Sequence, residues 1–431
     1  MDPLDELLGL ERLGIKFGLE NVRALCAALG DPFAAYRSVI VAGTNGKGSV
    51  TAMVDRALTA AGHRSARYTS PHLVHLEERF AIDGRLVSTD ALRAAASDVL
   101  SVVHRLRAGG ALATEPTFFE VTTAIGFEIF RRAHADVAVL EVGMGGRFDA
   151  TNVATPVAAA ITTIDLDHER FLGHTITEIA VEKAGVIKPG MTVIVGESKP
   201  DAARVITRAC RERGARCVMA GEGVRSTVSG ADGRFVVDLA TPVRRYPPMR
   251  LALRGRHQVA NAIVAVRLLE ELPALGIELT EAAVVAGLTE VRWPGRLDLV
   301  EIDDRRRVLF DSAHNPAGAL ALAEYLREIH PGGLPIVFGA MRDKDTAAMI
   351  ALLAPHATRF VLTEPPNPRA ATASALARLA SQHAGGVPVD IEPDPDAALE
   401  RAFRAGPLVV VAGSMFLVGR LLSRVPPNPL R

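Results

Sequence analysis

The chain has 431 residues, a length that favours two packed domains. Lysine plus arginine equals aspartate plus glutamate at 49 each, so no net basic field gathers nucleic acid or an anionic membrane surface. Three cysteines without a CxxC pair, no basic apolar leader and no apolar run of membrane-spanning length argue against a disulfide framework, a zinc site and a membrane partner; a cytoplasmic protein acting on small molecules is expected.

In chain order, the apolar run Ser38 to Ala42 predicts a strand that feeds Gly43-Thr-Asn-Gly-Lys-Gly-Ser49, and Val50 to Ala61 carries helical periodicity ending at Gly62. Strand, loop and helix follow one another. Ser65 to Tyr68 predicts a short strand, Phe118 to Ala133 a helix, and Asp136 to Glu141 and Val157 to Thr162 further strands. Met191 to Val195 and Val205 to Arg213 continue the alternation, so a mostly parallel sheet covered by helices is expected. Between Gly223 and Leu253, short runs broken by Gly230, Gly233, Pro242, Pro247 and Pro248 predict an antiparallel excursion before a helix from His257.

Trp293-Pro-Gly-Arg296 punctuates the chain, and the alternation restarts with strand Arg307 to Phe310, helix Pro316 to Ile329 and strands Pro335 to Phe338, Phe360 to Thr363 and Leu408 to Val411. Domains 1–291 and 292–431 are expected. The Ala-rich stretch Ala370 to Ala380 reads as a helix, and Pro426, Pro427 and Pro429 as a loose tail.

Gly43, Gly46 and Gly48 allow a sharp turn with inward N–H groups, Lys47 adds a cation, and the following helix adds its positive end, an arrangement suited to polyphosphate. The strict GxxxxGK[ST] pattern is not met, because position 41 is Val and Gly48 displaces Ser49 by one place. Glu141 ends a predicted strand and is followed by Gly143, Gly145 and Gly146, where open parallel sheets place ligands. Asp165, Asp167 and His168 follow another strand end, where a ligand role and a cap or surface charge are equal readings. Ser70 before Pro71 reads alone as a loop serine, and Lys183 as a solvated lysine near a helix end.

Gly43-Thr-Asn-Gly-Lys-Gly-Ser49, Thr69-Ser-Pro-His-Leu73 and Glu141-Val-Gly-Met-Gly-Gly-Arg-Phe-Asp-Ala-Thr-Asn152 resemble, in order and spacing, the bacterial folylpolyglutamate synthase and dihydrofolate synthase family. The resemblance continues through Asp167-His168, Glu182-Lys-Ala-Gly185, His257-Gln-Val-Ala-Asn261, Pro294-Gly-Arg296, Asp311-Ser-Ala-His-Asn-Pro316 and Gly413-Ser414. It implies an α/β protein with a P-loop ATPase domain on a mostly parallel sheet and a smaller Rossmann-like C-terminal domain, the architecture of the Mur ligases.

It further implies that Thr44, Asn45, Gly46, Lys47, Gly48 and Ser49 bind ATP phosphates and that Asn261, Arg296 and Asp311 contact the nucleotide. Ser49, Ser70, Glu141 and His168 match magnesium positions, with two ions expected, and Lys183 matches a lysine carbamylated by carbon dioxide. Lys47, Lys183 and His314 fall in the catalytic set. Phe17, Gly18, Leu19, Thr117, Phe118, Phe119, Glu120, Phe148, Asp149 and Ala150 match segments lining a pteroate pocket, where aromatic faces suit a flat heterocycle. Core packing at a helix start is an equal reading for at least one of Phe118 and Phe119.

The implied reaction is ATP-dependent amide formation between a pteroate or folate carboxylate and L-glutamate through an acyl phosphate, by a monomer. A Mur-type UDP-sugar amino acid ligase and a catalytically inactive nucleotide-binding protein are the alternatives. The pteroate-like segments weigh against the first, and the joint presence of Glu141, His168, Lys183 and Asp311 against the second.

Overall fold

The computed structural model describes residues 2–14, 16–112, 114–230 and 232–425, so the tail prolines Pro426, Pro427 and Pro429 lie outside the described residues. Contacts divide the chain into two compact units, one of residues 1–225, 239–247 and 260–291, the other of 226–238, 248–259 and 292–431.

The first unit is built on eight strands: β1 Arg37–Ala42, β2 Ser65–Tyr68, β3 Phe80–Ile82, β4 Arg85–Leu86, β5 Val137–Glu141, β6 Ala158–Ile161, β7 Thr192–Val195 and β8 Arg216–Met219. Their order across the sheet is β4-β3-β2-β5-β1-β6-β7-β8. β2, β5, β1, β6, β7 and β8 run parallel, while β3 and β4 add an antiparallel edge. β1 and β5 are apolar along nearly their whole length because helices cover both faces of a parallel sheet. Register decides what meets at the sheet's upper edge. Val41 pairs with Glu141, Ala42 with Ile161 and Tyr68 with Leu140, so the segments leaving β1, β2, β5 and β6 emerge side by side.

Several bounds differ from the periodicity. The helix after the glycine loop spans Lys47–Ala60, three residues earlier than the apolar pattern, because Gly46 at φ 90° is its cap and Lys47, Gly48 and Ser49 form the first turn. The next outer helix spans Pro200–Glu212, with Pro200 in its first turn, rather than starting at Val205. A twenty-residue helix, Thr89–Ala108, is absent from the periodicity reading although its signal is present: Ser88 caps Ala91 N, and Leu92, Ala95, Ala96, Val99 and Val103 are buried on one face. A helix Glu281–Thr289 follows His257–Glu271 before the second unit resumes at Arg292.

The excursion forms three strands, β9 Arg225–Ser229, β10 Val236–Ala240 and β11 Met249–Arg250, with β10 and β11 antiparallel. Its turn belongs with the second unit for a packing reason. Gly233 leaves no room for a Cβ, which would fall 2.4 Å from the Tyr325 hydroxyl. Arg254 Nη1 donates to Asp232 O at 2.8 Å, and Arg256 stacks on Phe235 at 4.7 Å while its Nε and Nη2 donate to the two carboxylate oxygens of Glu328.

The second unit's main sheet contains β12 Asp298–Glu301, β13 Arg307–Phe310, β14 Leu334–Phe338, β15 Ala357–Leu362, β16 Val389–Ile391 and β17 Leu408–Ala412, in the order β12-β13-β17-β14-β15-β16. All but the edge strand β12 are parallel, the arrangement of a Rossmann-like domain. The helix in the Ala-rich stretch spans Ala373–His383, capped by Thr372, so Ala370 and Ala371 lie outside it.

Thr117 and Glu120 form a reciprocal capping box at the helix Phe118–Arg132: Glu120 N donates to Thr117 Oγ1 at 3.2 Å and Thr117 N donates to Glu120 Oε2 at 2.8 Å. Thr117→Ala is expected to lower unfolding free energy by about 1 kcal/mol, seen as a lower urea midpoint at unchanged slope.

Candidate active site

The glycine loop is held by the strand beside it. Thr44 N donates to Thr163 O at 2.7 Å, Asp165 N donates to Thr44 Oγ1 at 3.0 Å, and Thr162 Oγ1 donates to Asn45 O at 2.7 Å. Gly43 at φ 141° and Gly46 at φ 90° are sterically required. A Cβ on Gly43 would lie 1.8 Å from Thr162 Oγ1, and one on Gly46 2.3 Å from Asn261 Oδ1. The second contact places Asn261, far away in sequence, against the loop.

Both implied catalytic lysines turn onto the same carbonyl. Lys47 Nζ donates to Gly43 O and Thr44 O, each at 3.1 Å, and Lys183 Nζ donates to Gly43 O at 2.7 Å. Lys183 is buried on the helix Ile176–Ala184, not solvated as the sequence alone suggested. Burial, and secondarily the Lys47 charge, push its ammonium down to about 7, so the free amine is accessible near neutrality.

Glu141 ends β5 and is buried, and Ser70 N donates to its Oε2 at 3.3 Å. Ser70 Oγ is itself buried without a hydrogen-bond partner, a costly arrangement for a hydroxyl unless something else takes it. Ser49 is buried in the first turn of the neighbouring helix. Two serine hydroxyls and one carboxylate beside a phosphate loop fit Mg²⁺, which uses few protein oxygens and completes its shell with phosphate and water. His168 stands at φ 52° before the short helix Glu169–Leu172, its Nε2 4.0 Å from Asp167 Oδ1. Among the described residues no three His, Cys, Asp or Glu side chains converge as a metal-holding group.

Asp165 is held by Lys199, whose Nζ donates to its Oδ1 at 2.7 Å, and buried Glu197 accepts from Lys199 N and Ile164 N. This brace, and Thr162 and Thr163, escaped the sequence reading because their partners depend on β6 lying between β1 and β7. Arg79 also escaped it. It is 5 % exposed, stacks on Phe118 at 5.1 Å, and its Nε donates to His72 Nδ1 at 3.0 Å. Burial holds His72 down at about 4, leaving that nitrogen free to accept.

The implied pteroate-lining residues divide in two. Asp149 is fully buried and accepts from Met144 N, Thr151 N and Thr151 Oγ1, fastening the loop after Glu141; burial raises its carboxyl against those bonds. Thr117 and Glu120 cap a helix, Ala150 is buried, and the Phe119 ring covers Gly143, 2.5 Å from where a Cβ would be. By contrast Phe17 and Phe148 are 45 % and 39 % exposed, their ring centroids 6.3 Å apart. Gly18, at φ 129°, and Leu19 lead into the helix Glu20–Ala28.

In the second unit, Asp311 accepts from Leu297 N and Ala313 N, each at 2.9 Å, and its burial raises its carboxyl against the nearby Arg296 charge. Arg296 Nη1 donates to Ser312 O at 3.3 Å, and His314 Nδ1 lies 2.9 Å from the same oxygen. His257 is half-buried and held down at about 4, first by that burial and then by Arg296. Arg296, Asp311 and His314 are thus one cluster.

Residues 86–269 match the Mur ligase middle domain and residues 295–415 the Mur ligase glutamate ligase domain. A Halobacterium salinarum protein described as a probable bifunctional folylpolyglutamate synthase/dihydropteroate synthase is 37 % identical over 97 % of this chain and 51 % of its own length, so the chain spans about half of that relative. The Bacillus subtilis dihydrofolate synthase/folylpolyglutamate synthase is 32 % identical over 97 % of both chains. The Mycobacterium tuberculosis folylpolyglutamate synthase complexed with ADP superposes with TM-score 0.91 and 34 % identity, covering 99 % of this chain and 100 % of that one. A bifunctional folylpolyglutamate synthase/dihydrofolate synthase with Mn, AMPPNP and L-glutamate bound gives TM-score 0.84 at 30 % identity, with 98 % of each chain covered. With the Bacillus relative and both solved structures matched along almost their full length, the chain belongs to the folylpolyglutamate synthase/dihydrofolate synthase family of Mur ligases.

Proposed function

We propose that this chain is an ATP-dependent carboxylate–amine ligase that adds L-glutamate to dihydropteroate, to the glutamate tail of a tetrahydrofolate, or to both. The observation that carries the reading is the convergence of Lys47 and Lys183 on Gly43 O, inside a phosphate loop beside buried Glu141 and the enclosed hydroxyl of Ser70. A cytosolic monomer is what the family resemblance implies; the three cysteines are free, and among the described residues no helix is long and apolar enough to cross a membrane.

In the first step a carboxylate oxygen of the substrate attacks the γ-phosphorus of ATP, the bond to the bridging oxygen breaks, and ADP leaves. Lys47 and the N–H groups of Gly46 to Ser49 stabilise the spreading phosphoryl charge, with Arg296, Asp311 and Asn261 positioning the nucleotide. In the second step the glutamate nitrogen attacks the acyl carbon and inorganic phosphate departs as the nitrogen loses a proton. Ser49, Ser70, Glu141 and His168 would hold magnesium, which supplies charge neutralisation on phosphate oxygens. His314 completes the proposed catalytic set. The substrate's pterin is assigned to the segments around Phe17, Phe119 and Phe148.

Lys47→Ala is expected to abolish glutamate-dependent ADP formation with an unchanged circular dichroism spectrum; turnover near wild type would remove the phosphate-loop assignment. Glu141→Ala should shift the magnesium titration of activity to much higher concentration, and an unmoved titration would exclude Glu141 as a ligand. Lys183 reacts with carbon dioxide only as the free amine, which predominates above its pKa of about 7. Carbamylation should therefore rise with pH through about 7, read as a mass gain of one carbon dioxide and as bicarbonate-stimulated turnover at the alkaline side. Lys183→Arg should show neither.

A further inference from the structure

One residue holds both ends of the segment that carries Ser70. Thr69 N donates to Arg79 O at 3.0 Å, continuing the ladder in which β2 pairs antiparallel with β3 and Tyr68 faces Phe80. From the same residue the side chain turns back, and Arg79 Nε donates to His72 Nδ1 at 3.0 Å. Ser70 and Pro71 lie between these two attachments, and proline has no N–H with which to make another. The next three residues are fixed separately, because Leu73 N, Val74 N and His75 N donate to the carboxylate of Glu78 at 2.7, 2.9 and 2.8 Å. Ser70 N itself reaches Glu141 Oε2 at 3.3 Å, a longer bond than any made to Glu78.

Arg79 is buried and forms no ion pair among the described residues, whereas a buried charge is ordinarily paired. Burial works against its cation, and Tyr68, Glu11 and Glu141 act in its favour. The guanidinium stacks on Phe118 at 5.1 Å, which fixes its plane and with it the direction of the Nε–H toward His72. An apolar side chain would fill the same space without the cost of a desolvated charge. What the guanidinium alone supplies is a donor of fixed direction at His72, two residues beyond the Ser70 hydroxyl that is buried without a hydrogen-bond partner.

We propose that Arg79 is a positioning residue for the magnesium site: through His72 it fixes the Ser70–Pro71 segment so that the Ser70 hydroxyl stays beside Glu141. The inference rests on the metal assignment of Ser70 and Glu141 above and extends it to a residue outside the proposed ligand set. A hydroxyl on an unsupported segment has to be ordered when the ion binds, and the lost conformational freedom subtracts from affinity. Partners that orient a metal's ligands therefore matter nearly as much as the ligands, and losing one typically costs about ten- to a hundredfold in metal affinity.

The test measures Mn²⁺ binding to the ADP complex by electron paramagnetic resonance, without turnover, in wild type, Ser70→Ala, Arg79→Met, His72→Leu, His72→Asn and the Arg79→Met/His72→Leu double variant. Arg79→Met keeps an unbranched stem against Phe118 and removes the donor, and it should weaken Mn²⁺ binding about tenfold, the lower end of the range for such partners. His72→Leu should weaken it as much, and the double variant no further, because both changes remove the same hydrogen bond. His72→Asn, whose Oδ1 replaces Nδ1 as acceptor, should stay within about twofold of wild type. A role confined to stability would lower the urea midpoint of Arg79→Met while leaving Mn²⁺ affinity unmoved, and that result would overturn the proposal, as would additive losses in the double variant. Where Arg79→Met fails to fold, equal Mn²⁺ affinity in His72→Leu and His72→Asn overturns it instead. Unchanged affinity in Ser70→Ala would remove the metal assignment and the inference with it, whereas a loss in Ser70→Ala that Arg79→Met does not share would overturn the inference alone.

Discussion

The carbonyl of Gly43 is the point on which the site depends. It accepts hydrogen bonds from two lysines of different origin, Lys47 in the first turn of its own helix and Lys183 on a helix 140 positions away. Burial lowers the basicity of Lys183 most, and repulsion from the Lys47 ammonium lowers it further, which brings it near 7. The loop tolerates this crowding because its glycines remove side chains where Thr162 and Asn261 press on it, and because Thr44, Asn45, Thr163 and Asp165 bind it to the segment leaving β6.

The same sheet edge explains why acidic and hydroxyl groups collect there. Parallel strands send their C-terminal segments in one direction, and the order β2-β5-β1-β6 places Ser70, Glu141, the glycine loop and Asp165 in neighbouring columns. The buried, unbonded Ser70 hydroxyl is intelligible in that setting and would be an unexplained cost elsewhere. The loop from Glu141 to Asn152 achieves rigidity differently, by giving up a buried carboxylate, Asp149, to its own backbone. Several residues in motif segments thus shape the surface from within.

The excursion shows how a sequence segment can lie between units in order but pack by contact. Its glycines and prolines announce short antiparallel strands. Its attachment rests on Gly233 beneath Tyr325 and on the arginine at 256 clasping Glu328, contacts between positions about seventy to ninety residues apart. Periodicity carries no information on such pairs.

What the sequence determined by itself was the alternation of strands and helices, the phosphate loop between one strand and one helix, and, through its motifs, the family. These are local properties: hydrophobic period and glycine placement act over a few residues. The tertiary structure decided which strand lies beside which, and hence that Lys183 is buried against Gly43 rather than solvated, that Asn261 touches Gly46, and that Arg79 is enclosed between His72 and Phe118. It also decided that Phe17, Phe148 and Phe171 share a surface, since three rings from three segments become neighbours only when the sheet's register has been set.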